Sequence, residues 1–181
     1  MHTLIDELHQ DHINLSKLLG LLERELTRLQ QGEDPDYFLM LDMVEYVENY
    51  PDLIHHPRED AIFQVYLEHN RRGEDIIHQL MAEHKALVEH SHQLREMIEQ
   101  VLQGSVLSRE IIETELLTYL NLQKNHLNAE EAHVFALMSE LLQPEDWVRI
   151  ETMLPSKSDP LFGGQVQKRY EAIYSQIMTM S

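Results

Sequence analysis

The sequence predicts an all-α protein: an antiparallel up-down bundle of four helices, followed by a short helical C-terminal extension. Apolar residues recur every three or four positions along four long segments, which is the pattern of amphipathic helices. Six glycines and six prolines among 181 residues leave little material for turns or β-structure. The connections between the segments are short, so neighbouring helices are expected to run antiparallel.

The first two helices are predicted over residues 4–31 and 35–67. Pro51 and Pro57 lie inside the second of them, and each removes a backbone hydrogen bond. We therefore expect a break or kink between residues 49 and 57.

The third helix is predicted over residues 74–103, and the fourth runs from Ser108 to about residue 142. The bundle thus occupies residues 1–142, which is long enough for one domain with a substantial core. Residues 143–181 form the extension, which is too short to be a domain. We expect it to contain short helices and to pack across the bundle, or against a second copy of it in a homodimer.

The formal net charge is −18, from 32 acidic and 14 basic residues. Such a charge repels phosphate, which argues against nucleic acid and anionic membrane surfaces as partners. The absence of cysteine excludes disulfides and thiolate-bound metals. No apolar run approaches the roughly 18 residues of a membrane helix and no export signal is visible, so the cytoplasm is the expected compartment.

Two stretches carry a His and a Glu four residues apart: His55 with Glu59, and His126 with Glu130. Residues at this spacing lie about 40° apart around a helix and one turn apart along it, so each pair can bind the same ion or adjacent ions. Both stretches then run into apolar residues and a Phe. We interpret them as two halves of one buried metal site.

A weak internal repeat connects these pairs to the other two helices. His12 follows an acidic residue and precedes a Leu three positions later, and His84 has the same surroundings. His55 and His126 follow these two at nearly equal intervals. The chain is therefore expected to form two similar helix hairpins with pseudo-twofold symmetry.

Antiparallel helices place two residues at one level when both are equally far from the connecting turn. His12 and His55 are each about 21 residues from the centre of the first turn, and His84 and His126 are each about 21 from the third. Glu59 and His84 are each about 12 or 13 residues from the second. All four helices thus contribute side chains at one level.

Buried together, these side chains offer imidazole and carboxylate ligands without sulfur, a set suited to iron, manganese or zinc. The predicted ligands are His12, His55, Glu59, His84, His126 and Glu130. They exceed what one tetrahedral zinc ion needs, and two carboxylates can bridge two ions. A dinuclear site is therefore predicted.

Taken in this order, the motifs resemble the hemerythrin-like (HHE cation-binding) family over about residues 1–142. The resemblance implies a non-haem diiron centre in which Glu59 and Glu130 bridge two iron ions and the histidines are terminal ligands. It also implies an open iron position that binds O2 or a related small diatomic molecule. Zinc or manganese stays an alternative, because the ligand types suit these metals as well.

The chain departs from the family pattern on its third helix. Oxygen-carrying hemerythrins have a further His one turn from the His of that helix, whereas Leu80 and Val88 occupy those positions here. His56 is the nearest substitute. It lies about 100° around the helix from His55 unless Pro57 distorts the backbone.

A second alternative concerns Glu131. Regular helix geometry favours Glu130, because Glu131 lies about 140° around the helix from His126. Some family members use the longer spacing, and a match of the two Phe residues pairs Glu59 with Glu131. Glu131 therefore stays an alternative ligand.

Three functions remain open from the sequence. The first is binding or sensing of O2 at an open site with apolar walls such as Leu15, Ile62, Leu87 and Val88. The second is a diiron enzyme acting on nitric oxide, peroxide or ferrous iron, which the incomplete His set favours. The third is a metal-free helical interaction module. We expect a binding or sensing protein rather than an enzyme.

Overall fold

The computed structural model describes residues 2–156 and 158–180. Within these ranges the regular structure is helical, so the all-α class is confirmed. The α-helices there are α1 (Thr3–Gln30), α2 (Tyr37–Asn49), α3 (His56–His69), α4 (Glu74–Leu102), α5 (Arg109–Ala129), α6 (Phe135–Leu141), α7 (Pro144–Met153) and α8 (Glu171–Met180). These are more segments than the four bundle helices and extension that the sequence predicts.

Four of these helices surround the interior of the molecule. α2 packs on α4, α4 on α5, α5 on α1, and α1 on α2. α3 packs on α4 and α7, and α6 packs on α3. No helix in the described part of the chain is both long and apolar enough to cross a membrane.

The second predicted helix is interrupted where its prolines suggest. α2 ends at Asn49, and a π-helical turn, Pro51–His55, joins it to α3. Pro51 opens the turn and Pro57 lies in the first turn of α3, where a missing backbone N–H costs least. The π-helical turn therefore lies directly before the first turn of α3, which carries Glu59.

The fourth helix, predicted to run to about residue 142, is helical to Leu141 but changes its winding on the way. α5 ends at Ala129, and a second π-helical turn, Glu130–Val134, separates it from α6. No Pro or Gly signals this interruption. The wider turn lets Glu130 face the interior while the next residue, Glu131, still reaches His12 on α1. Tertiary contacts thus override local helix propensity here.

The extension packs on the helices of the same chain. α7 contacts α3, and its residues Trp147 and Ile150 are buried. α8 contacts α1 and α2 and buries Ile173 and Ile177. A short 3-10 turn, Lys168–Tyr170, leads directly into α8.

The interior contains two apolar clusters. On α1, Leu8 belongs to one cluster and Leu15 to the other; on α4, Leu80 and Leu87 are divided in the same way. On each helix a His lies between these two leucines. A polar layer therefore lies between two apolar layers.

Candidate metal centre

The polar layer is formed by seven side chains that are each at most 4% exposed. α1 and α4 contribute one each, α3 two, α5 one and the π-helical turns two. They are His12, His55, His56, Glu59, His84, His126 and Glu130. All six predicted ligands and the alternative His56 therefore lie together.

Glu59 lies between His12 and His55 on one side and His84 on the other. Its Oε1 is 3.2 Å from His12 Nε2 and 3.3 Å from His55 Nε2. Its Oε2 is 3.4 Å from His84 Nε2. The two oxygens of this carboxylate thus face two different groups of imidazoles.

Glu130 likewise lies among histidines of three helices, α1, α4 and α5. Its Oε1 is 3.4 Å from His84 Nε2, and its Oε2 is 3.4 Å from both His12 Nε2 and His126 Nε2. Both carboxylates are fully buried. Each carboxylate therefore contacts imidazoles from more than one helix.

The donor atoms form two tight groups that share Glu59. In one, a ligand atom from each of His12, His55 and Glu59 lies within 4.8 Å of the others. In the other, the same holds for His56, Glu59, His84 and His126. Glu130 is outside both groups but contacts histidines of each. The arrangement is two histidines on one side and three on the other.

Several donor atoms in this centre are buried without a hydrogen-bond partner in the described chain. They are Glu59 Oε2, both oxygens of Glu130, Nε2 of His84 and His126, and both ring nitrogens of His56. Unpaired buried polar atoms are costly, so a concentration of them at one point needs an explanation. Cations coordinated by these atoms supply one, and the residues present fit a dinuclear His–carboxylate site.

Carboxylates outside the centre orient four of the histidines through Nδ1. Asp11 Oδ2 lies 3.3 Å from His55 Nδ1, and Glu83 Oε2 lies 3.0 Å from His126 Nδ1. Asp11 and Glu83 directly precede His12 and His84 in the sequence. Each of these two acidic residues thus contacts the next ligand His along the chain, not the adjacent one. Such partners fix the ring orientation and turn Nε2 towards a metal.

The other two carboxylates complete the pattern. Glu131 Oε1 lies 2.8 Å from His12 Nδ1, and Asp60 Oδ1 lies 2.8 Å from His84 Nδ1. Each directly follows one of the central glutamates in the sequence. The contacts of the first hairpin are thus repeated in the second.

His56 reaches the centre without a distortion at Pro57. In a helix His56 lies about 100° from His55, and Glu59 lies about 40° from His55 on the same side. Glu59 is therefore flanked by the two neighbouring imidazoles, which enter different groups. Asp52 Oδ1 is 3.5 Å from His56 Nδ1.

Glu131 lies outside the centre. Its side chain is 34% exposed, and besides His12 it binds His9 Nδ1 at 2.9 Å. Val88 is also outside: it is 43% exposed, so it does not belong to the apolar wall predicted for the site. Leu15, Ile62 and Leu87 are buried as expected.

The pKa values show that neighbouring carboxylates favour protonation of two imidazoles in the centre. Burial alone would lower the pKa of His12, but Glu131 and Glu59 raise it to about 10. Burial likewise opposes protonation of His84, whereas Asp60, Glu130 and Glu59 raise its pKa to about 12. Burial and the neighbouring His84 and His55 instead lower the pKa of His56 well below its ordinary value.

Glu59 is a counter-charge for three of these imidazoles. Burial alone would raise its pKa, but His55, His12 and His84 lower it well below its ordinary value. Glu59 is therefore ionised inside the protein at neutral pH. Metal cations would take the place of the protons that now neutralise it.

The comparison with protein families decides the membership. A model of the hemerythrin HHE cation-binding domain matches residues 3–143. The chain belongs to this family. No curated protein and no solved structure gave a significant match. Family membership and the two His–carboxylate groups together indicate metal binding by this HHE-domain protein.

Four carboxylates that contact Nδ1 of these histidines were not predicted from the sequence: Asp11, Asp52, Asp60 and Glu83. Asp11 and Glu83 stand out in the sequence only as part of a repeat, and neither Asp52 nor Asp60 stands out as a partner of a ligand. Three of these four residues are directly adjacent in the sequence to a predicted ligand His or Glu. Such adjacency is a signal by which partners of the ligands could be predicted. Asp52 has no such signal, because its position depends on the π-helical turn.

Proposed function

We propose that this HHE-domain protein is a non-haem diiron protein that binds or senses O2, or a related small diatomic molecule, inside an antiparallel up-down four-helix bundle. Residues 1–142 form the bundle in this proposal, with α2 continued by α3 and α5 continued by α6. Residues 143–181 form its helical extension.

One observation carries the proposal: two buried carboxylates, Glu59 and Glu130, each contact imidazoles of both groups. A single ion would not need donors on both sides of two carboxylates. Two ions would use all of them, with two histidines for one ion and three for the other. The donor set contains only nitrogen and oxygen, which suits iron.

The unequal number of histidines supports an open position. His12 and His55 would give an ion on their side two imidazoles, whereas His56, His84 and His126 would give an ion on the other side three. Two bound iron ions would supply reversible electron exchange with O2 at that position.

The protein's own residues provide the surroundings for such a reaction. Leu15, Ile62 and Leu87 are at most 4% exposed and keep bulk water away from the centre. A dry apolar wall disfavours separation of charge and hence loss of oxygen as superoxide. Glu131 and Asp60 contact Nδ1 of His12 and His84, so they direct Nε2 of each ring into the centre.

The test is to purify the full chain, count its iron, reduce it without oxygen and then admit air. We expect two iron ions per chain and a visible absorption that appears with air and disappears when oxygen is removed. The Glu59→Ala variant is the matched control and should lose iron together with the absorption. Two irons without a reversible change would overturn oxygen binding.

The enzyme alternative rests, in the sequence, on the missing third-helix His. Because His56 lies in the centre, that observation does not distinguish an enzyme from a binding protein. Turnover of nitric oxide, peroxide or ferrous iron that is abolished by Glu130→Ala would still establish it. Absence of bound metal, together with unchanged thermal stability of His84→Ala, would instead favour the metal-free module.

A further inference from the structure

His56 differs from the other four imidazoles of the centre in how its ring is held. Each of the others has a carboxylate within 2.8 to 3.3 Å of Nδ1 in hydrogen-bonding geometry. For His56 the nearest such atom is Asp52 Oδ1 at 3.5 Å. Both atoms of this pair are buried and lack a hydrogen-bond partner among the described residues.

Asp52 is itself held in place from α4. Ser91 Oγ donates to Asp52 Oδ2 at 2.6 Å, and Ser91 is fully buried. The side chain of Asp52 is only 4% exposed. A buried carboxylate with one oxygen bound to a hydroxyl and the other facing an imidazole nitrogen is placed to act on that imidazole.

The pseudo-twofold relationship of the two hairpins shows that this arrangement is a special feature of one half. Leu127 follows His126 where His56 follows His55, and Gln123 stands where Asp52 stands. Leu19 lies seven residues after His12, as Ser91 lies seven residues after His84. The other ligands of the centre and the carboxylates at their Nδ1 atoms have equivalents in both hairpins. His56, Asp52 and Ser91 do not, because Leu127, Gln123 and Leu19 occupy the equivalent positions.

We propose that Asp52, fixed by Ser91, is a positioning residue that holds Nδ1 of His56 and so makes His56 the third imidazole ligand of one metal ion. This inference rests on the proposed dinuclear centre. A shift of a few tenths of an ångström closes the gap between Asp52 and His56 to hydrogen-bond length. The resulting bond fixes the His56 tautomer with its lone pair on Nε2.

The position of His56 in the chain is consistent with a need for such support. His56 enters the centre from the residue after His55, at the junction between the π-helical turn and α3. The family's oxygen carriers take this ligand from the third helix, where Leu80 and Val88 stand here.

The test is an anaerobic titration of the metal-free full chain with Co²⁺, because its visible absorption reports both uptake and coordination. Wild type is expected to take up two ions in two steps. Asp52→Asn should weaken one step about 10- to 100-fold and change its absorption, while the other step stays unchanged. His56→Ala should weaken the same step, and the double variant should be no weaker than the weaker single variant.

Two further variants keep the test decisive. Ser91→Ala removes only a hydroxyl and should weaken the same step by about tenfold; it takes the place of Asp52→Asn if that variant does not fold. Ser139→Ala is the matched control, since Ser139 Oγ is buried without a hydrogen-bond partner in the described chain, and it should leave both steps unchanged.

The results separate two kinds of failure. If wild type does not take up two ions, the dinuclear centre is wrong and the role of Asp52 falls with it. If wild type takes up two ions but the losses in Asp52→Asn and His56→Ala multiply, or Asp52→Asn changes neither step, the positioning role alone is wrong.

Discussion

His12 and His55 approach each other to 3.2 Å through their Nε2 atoms in the interior of the protein. The Nδ1 atoms point outwards, to Glu131 and Asp11 respectively. Although burial disfavours the charge, neighbouring carboxylates raise the pKa of both rings. Charge on His12 opposes charge on His55, so a metal ion that replaces protons between the two rings relieves this repulsion.

Metal affinity is expected to rise with pH. The pKa of metal-free His12 is about 10 and that of His84 about 12, so metal must displace a proton from each ring at neutral pH. Zn²⁺ affinity measured by competition between pH 6.5 and 8.5 should increase about tenfold per pH unit for each proton displaced. A flat profile would show that these rings are not ligands.

The stability of the metal-free protein should respond to pH in the opposite direction. The pKa of His12 is raised from 6.5 to about 10 on folding, so its contribution is fully present below about pH 6.5 and is lost as pH rises through about 10. His84 acts in the same sense. The unfolding temperature of chelator-treated protein should therefore fall between about pH 7 and 10, whereas an increase would contradict these assignments.

Glu130 and Glu131 should differ sharply when each is changed to Ala. Glu130 is fully buried among three imidazoles, so Glu130→Ala should abolish binding of two ions. Glu131 contacts His12 only through Nδ1, so Glu131→Ala should keep two ions and weaken affinity about 10- to 100-fold. Metal content after dialysis against defined metal concentrations measures both. If Glu131→Ala instead lost both ions and Glu130→Ala kept them, Glu131 would be the bridging ligand.

A matched pair on α7 tests whether the extension stabilises the rest of the protein. Trp147 is 7% exposed and belongs to the same apolar cluster as Phe63 and Phe135, whereas the adjacent Val148 is 65% exposed. Trp147→Ala should lower the free energy of unfolding by about 3–5 kcal/mol. Val148→Ala should change it by less than about 0.5 kcal/mol. Urea denaturation distinguishes them, and equal effects would show that α7 is not part of the folding unit.

Much of the centre follows from the sequence because its signals are local. A spacing of four residues places a His and a Glu on one helix face, and equal distances from a turn place helices at one level. These two rules are enough to bring His12, His55, Glu59 and His84 to the same level of the bundle. The break near Pro51 follows from the missing backbone donor.

The tertiary structure decided what depends on neighbours distant in the sequence. The π-helical turn at Glu130–Val134 has no local breaker, and it assigns Glu130 to the interior and Glu131 to the outer side of His12. That His56 faces the centre is seen only in the folded chain, where its ring lies within one donor group with Glu59, His84 and His126. The residue types and their spacing alone thus determined a helical His–carboxylate site, while the packing of the helices decided which neighbouring side chains enter it, because only packing fixes how far each helix is rotated about its axis.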